Sequence, residues 1–117
     1  MTSQERLHAS LDHRAPDRVP IDFGGTMVTG IHVSCVAALR DHYGLERRPV
    51  RIHDPGQMLG IIDDDLRTIL GLDVVGVFAR KTRYGFPNEN WREVRLPWGQ
   101  VALASGHFRP SVDPNGD

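Results

Sequence analysis

The sequence predicts an α/β fold, and three observations carry that prediction. "VPIDF" (19–23) alternates with period two, so Val19, Ile21 and Phe23 face one way while Pro20 and Asp22 face the other. "DVVGVFA" (73–79) is almost continuously apolar, the pattern of a strand covered on both faces in a parallel sheet. Between them lie stretches with helical spacing and helix caps. Two strands joined by such a crossover form a right-handed βαβ unit.

Taken in order, "TSQERLHASLDHRAPDR" opens on a capping box, with Thr2 at the N-cap and Glu5 three residues on. Leu7 and Leu11 lie one turn apart, and Pro16 stops the helix. After the glycine turn, Thr29 is the expected N-cap of a second helix. Cys35, Val36, Leu39 and Tyr43 form its apolar stripe, and Gly44 ends it. "PVRIH" is a short extended piece. Asp54 then starts a third helix, with Pro55 at its first position and Gln57 completing a capping box. Leu59, Ile62, Leu66, Ile69 and Leu70 share one face of it, and Gly71 ends it. "WREVRLPWGQVALASGHF" reads as a hairpin about a Pro-Trp-Gly turn, followed by a turn-rich tail.

The bulk numbers bound the class. With 117 residues there is room for one domain, and 39% hydrophobic with 25% charged residues excludes low-complexity and disordered classes. Fourteen basic residues against 15 acidic give a net charge of −1, which draws the chain to neither nucleic acid nor an anionic membrane. Cys35 is the only cysteine, so an internal disulfide and a Cys-rich zinc module are both excluded. The N-terminus has no apolar signal region, and no apolar run approaches the ~20 residues of a membrane span. The expected compartment is the cytoplasm. Two parallel strands with a hairpin leave open edges that folds normally cover. The chain therefore reads as one partial domain over 1–117: a helical lead-in plus first βαβ unit to residue 80, then the hairpin and an irregular tail over 81–117. Alone, it is expected to unfold readily or to self-associate.

The candidate site lies around the glycine turn. Gly24, Gly25 and Thr26 follow the first extended segment, where a glycine turn admits a ligand close to the backbone. The same pair serves equally as a plain turn with one positive φ. Asp22 is the nearest polar side chain, and His32 at the following helix start is a candidate for substrate contact. His32 and Cys35 are three apart, but zinc needs three or four ligands and no second cysteine exists, so no metal site is assigned. "DDD" (63–65) lacks the spacing and glycine of a calcium loop and reads as a solvated stretch where a helix breaks and restarts. His53-Asp54 is accounted for by capping. "ARKTR" (79–83) places Arg80, Lys81 and Arg83 after the second apolar strand, where cations bind carboxylate or phosphate, the alternative being a solvated loop.

"APDRVPIDFGGTMVTGIH", "RPVRIHDPGQML" and "DDDLRTILGLDVVGVF", in that order, resemble the uroporphyrinogen decarboxylase superfamily, which includes a haem-pathway decarboxylase and cobalamin-dependent methyltransferases. The resemblance implies the N-terminal portion of a truncated (β/α)8 TIM barrel with an added hairpin. Such a barrel takes about 250 residues. It also places residues 22–32 and Arg80 at the substrate-binding mouth, with no catalytic residue identified. Two departures bear on the activity: no arginine follows the first strand, and Phe78-Ala79-Arg80 stands where the decarboxylases carry Phe-Ser-Asp. Arginine only donates hydrogen bonds, so it cannot replace that acceptor. The resemblance thus implies a methyltransferase of the corrinoid-dependent type in the full-length parent, the alternative being a lyase that decarboxylates a tetrapyrrole or polycarboxylate. Zinc, corrinoid and a corrinoid carrier protein would belong to that parent, since this chain shows no cofactor site of its own. A non-catalytic fragment or self-associating module is the competing class, and the 117-residue chain alone is expected to be inactive.

Overall fold

The computed structural model describes residues 1–111 and 113–115. Its centre is an open four-stranded sheet of order β2-β1-β4-β3, with β1 (Val50–Asp54), β2 (Leu59–Gly60), β3 (Arg92–Arg95) and β4 (Val101–Ala104). The pairing is mixed: β1 runs parallel to β4 and antiparallel to β2, and β3 and β4 form the expected hairpin. Three helices accompany it, α1 (Ser3–Leu11), α2 (Val33–His42) and α3 (Asp64–Leu70). Val33 and Val36 of α2, Leu66 of α3, Val50 and Ile52 of β1, Ala102 of β4 and Leu96 of the hairpin turn make the core.

This sheet overturns the barrel expectation. A (β/α)8 barrel closes a parallel sheet on itself, whereas this sheet is mixed and ends in two open edges. Neither segment expected to supply the βαβ strands, 19–23 or 73–79, is a strand. The two do run side by side. The Asp73 amide donates to the Ile21 carbonyl at 2.8 Å, but the Asp73 carboxylate, not a main-chain carbonyl, takes the Ile21 amide at 2.9 Å. A side chain has replaced the next rung, and the ladder stops there. The parallel pair that exists joins "VRIHD" to "VALA", the short extended piece to the second hairpin strand.

The helices were partly legible. The capping box of α1 is present, with Thr2 N–H donating to Glu5 at 2.7 Å and Glu5 N–H donating to Thr2 at 3.2 Å. That helix ends at Leu11, ahead of Pro16, because His13 turns the chain in a left-handed conformation at φ 57°. The long third helix is not there. Asp54 ends β1, and its Oδ1 accepts the Gly56 amide at 2.9 Å, an Asx turn in place of a helix cap. The chain then folds back as β2. Gly60 sits so close beneath α2 that a Cβ would lie 2.9 Å from both Val36 and Val50 side-chain carbons. Only the last stretch, from Asp64, is helical, and it ends at Gly71 as expected.

Among the described residues, no helix is long and apolar enough to cross a membrane.

Candidate functional site

His53 and Asp54 stand at the carboxyl end of β1, the end at which ligands meet open α/β sheets. His53 and Asp54 are both buried there, at 6% and 2% exposure. The loop that follows residue 76 folds over this end and is pinned to it: Asn88 Nδ2 donates to the His53 carbonyl at 2.8 Å. The Phe78 ring lies 4.6 Å from the imidazole. Between loop, strand end and glycine turn opens a cavity of about 410 Å³, with Gly25, Thr26, Met27, His53, Phe78 and Thr82 on its wall. Lys81, Arg83 and Asn88 bring polar and charged groups to the same wall.

The glycine turn is both a turn and a cavity wall. Gly24 adopts φ +82°, open to glycine at no steric cost, and its amide donates to the Thr29 carbonyl at 2.8 Å. Gly25 is needed for closeness: a Cβ there would fall 2.5 Å from an Asp22 carboxylate oxygen and 2.8 Å from Val74. One oxygen of Asp22 closes this turn, its Oδ1 accepting the Gly25 amide at 2.8 Å. Of the candidate residues, Gly25 and Thr26 therefore reach the cavity, with Gly24 and Asp22 shaping the turn behind them.

His32 and Arg80 are not on that wall. His32 caps α2 in place of Thr29, its Nδ1 accepting the Ser34 amide at 3.2 Å while its ring tilts against Trp98 at 5.1 Å. Thr29 instead closes the glycine turn. Replacing His32 by alanine should then cost about 1 kcal/mol of stability, as lost N-caps do; a shift in urea midpoint read by circular dichroism checks this. Cys35, expected in the core, is exposed. Tyr43 is exposed as well; of the expected stripe Val36 is buried and Leu39 packs against the core, and Val33 and Arg40 complete the buried face of α2.

Burial pushes the His53 imidazole below its ordinary value and so favours the neutral ring, with the Asp54 carboxylate opposing the shift. His53 Nε2 and Thr82 Oγ1 are buried without a hydrogen-bond partner, and so is Asp54 Oδ2 just behind. Such orphans are uncommon in folded proteins and each costs stability. Arg83 Nε stands 3.8 Å from Asp54 Oδ1, bridging wall and carboxylate. Lys81 makes no ion pair among the described residues. Nor does any group of three or more His, Cys, Asp or Glu among the described residues stand close enough to hold a metal ion.

The residues that the sequence reading passed over are His53 and Thr82, together with Lys81 and Arg83, which ranked behind Arg80. Their signal was there. "HDPG" is a histidine at a strand end before a turn, and "RKTR" sets one hydroxyl among three cations.

Comparison with family models, with curated proteins and with solved structures gives no match at all. With the open sheet, this overturns the reading as the N-terminal part of a uroporphyrinogen-decarboxylase-like enzyme. The methyltransferase, lyase and corrinoid assignments fall with it, because each rested on that barrel.

Proposed function

We propose that the chain is a small-molecule binding module whose cavity at the end of β1 holds an amphiphilic organic anion. The observation that carries this reading is the convergence on one cavity wall of the Lys81 cation with the apolar side chains of Met27 and Phe78. The charge follows from the rim: Lys81 offers a cation, Arg83 being already paired with Asp54, and charge-assisted hydrogen bonds are about twice as strong as neutral ones. The apolar body follows from Met27 and Phe78 on the remaining wall. The exposed thiol of Cys35 fits the reducing environment of the cytoplasm.

Titration with benzoate, phenyl phosphate and the neutral isostere benzamide, followed by amide and imidazole NMR shifts, tests this. Benzoate or phenyl phosphate at about 10 mM should move the signals of His53 and Thr82, with a Kd in the millimolar range ordinary for fragments. Benzamide should bind about tenfold more weakly, and Lys81→Ala should weaken benzoate by a similar factor. Equal binding of benzoate and benzamide would remove the anion from the proposal. Silence at His53 and Thr82 with every probe would remove the site.

A further inference from the structure

We propose that residues 74–79 are an open β-pairing edge that takes the same segment of a second copy of this chain, antiparallel about a twofold axis. The segment reads Val-Val-Gly-Val-Phe-Ala: apolar, uncharged, free of proline and rich in β-formers. That is the composition of segments that pair with other strands when left exposed. It is exposed here, with Val75 at 64% and Val77 at 93%. Exposure alternates along residues 74–77. Val74 and Gly76 approach the glycine turn, while Val75 and Val77 point away from it. Among the described residues, no main-chain hydrogen bond reaches any N–H or C=O of 74–79; the last rung is the Asp73 amide on Ile21.

Folded proteins protect such edges with charge, proline or cover. The other long edge of this molecule is protected in that way, because β3 reads Arg-Glu-Val-Arg. The 74–79 edge carries none of these devices. Whole-molecule areas give the scale of what is missing. The chain exposes 7743 Å², whereas a folded monomer of 13.1 kDa exposes about 6,400 Å². The excess, about 1,300 Å², exceeds the ~800 Å² that each partner contributes to a standard interface. The radius of gyration agrees, at 16.3 Å against about 13.4 Å for a compact chain of this length.

A second copy is the occupant favoured by the charges. Arg80, just beyond one end of the segment, has no carboxylate partner among the described residues, and Asp22, beside Val74 at the other end, has no cation. Antiparallel pairing about a twofold axis brings the Arg80 of each copy to the Asp22 of the other. Such an isologous interface uses one patch twice and closes at the dimer.

The test is sedimentation velocity on the 117-residue chain from about 1 to 200 μM, a range that brackets micromolar dimers. The expected result is a dimer whose 74–79 amides exchange more slowly with deuterium as concentration rises. Val75→Lys should raise the dimer Kd at least tenfold with unchanged circular dichroism, and Val77→Lys should do the same. Leu11→Lys, equally exposed but on α1, should leave the dimer intact. A monomer at every concentration, an open-ended polymer, or a dimer indifferent to both valine variants would each overturn the proposal.

Discussion

Asp73→Ala should lower the melting temperature by roughly 15 °C or more, the loss expected when one partner of a buried ion network is removed from a chain of this size. The Asp73 side chain has no exposed surface, and that of Arg6 is 7% exposed. One carboxylate joins three parts of the chain. It receives Arg6 from α1, Arg18 at 2.8 and 3.1 Å, and the Ile21 amide at 2.9 Å. Arg6 also grips Asp17 with two bonds of 2.7 and 2.9 Å. Without Asp73, the buried guanidinium loses an anion, the Ile21 amide loses its acceptor, and α1 comes away from the segment it anchors.

The same network should make the protein acid-labile. Burial alone would raise the Asp73 carboxyl, but the Ile21 amide, Ser3, Arg18 and Arg6 together hold it well below the usual carboxylate range. The Arg6 bonds lower Asp17 likewise, and the Arg40 pair pulls Asp65 down to about 2. An unfolded aspartate titrates near 3.9, and lowered folded values mean that the unfolded chain takes up protons first. This stability is therefore complete above about pH 5 and lost as pH falls through 4 toward 2. Melting temperatures recorded between pH 7 and pH 2 should stay level and then drop. In Asp73→Asn the drop should be shallower, since one of the titrating groups is gone. A wild-type curve that stays flat to pH 2 would count against the network.

Local chemistry was readable from sequence where one residue settles it. Thr2 with Glu5 is a capping box whatever lies around it, and Gly71 stops a helix because its own backbone can turn left-handed. The hairpin was legible for the same reason, its turn and alternation lying within 15 residues. Strand identity was not. Whether "DVVGVFA" becomes a ladder depends on what lies beside it, and there a carboxylate took the bond that a carbonyl would have accepted. The third helix failed through a single competitor, since Asp54 caps a helix and starts an Asx turn with the same oxygen. The site followed the fold. Gly25 and Thr26 were found because they belong to a turn, whereas His53 needed the position of β1 in the sheet, and Lys81 needed the loop brought back by Asn88.

Leu66→Ala should cost about 3 kcal/mol, within the 2–5 kcal/mol range for emptying a buried leucine site. The figure is large for this protein, because whole domains are stable by only about 5–15 kcal/mol. The argument starts from α3 itself. Seven residues make two turns, too short to persist alone in water. Its N-cap supplies no side-chain bond, since Asp63 is turned toward Arg51 at 2.8 Å and Arg48 at 3.2 Å. What holds α3 is therefore tertiary. The paired bonds of Arg40 to Asp65, at 2.8 and 2.9 Å, fix its first turn to α2. Leu66, its one buried residue, enters the core with Val33, Val36 and Ile52. Ile69, exposed on the same helix, is the internal control and should cost less than about 0.5 kcal/mol on truncation. Urea unfolding of both variants reads the difference, with unchanged m-values showing that stability alone has moved. Equal costs at the two positions would mean that α3 does not dock through Leu66. A large cost at Leu66 alone would tie α3 to β1 through Ile52, the neighbour of the histidine that lines the cavity.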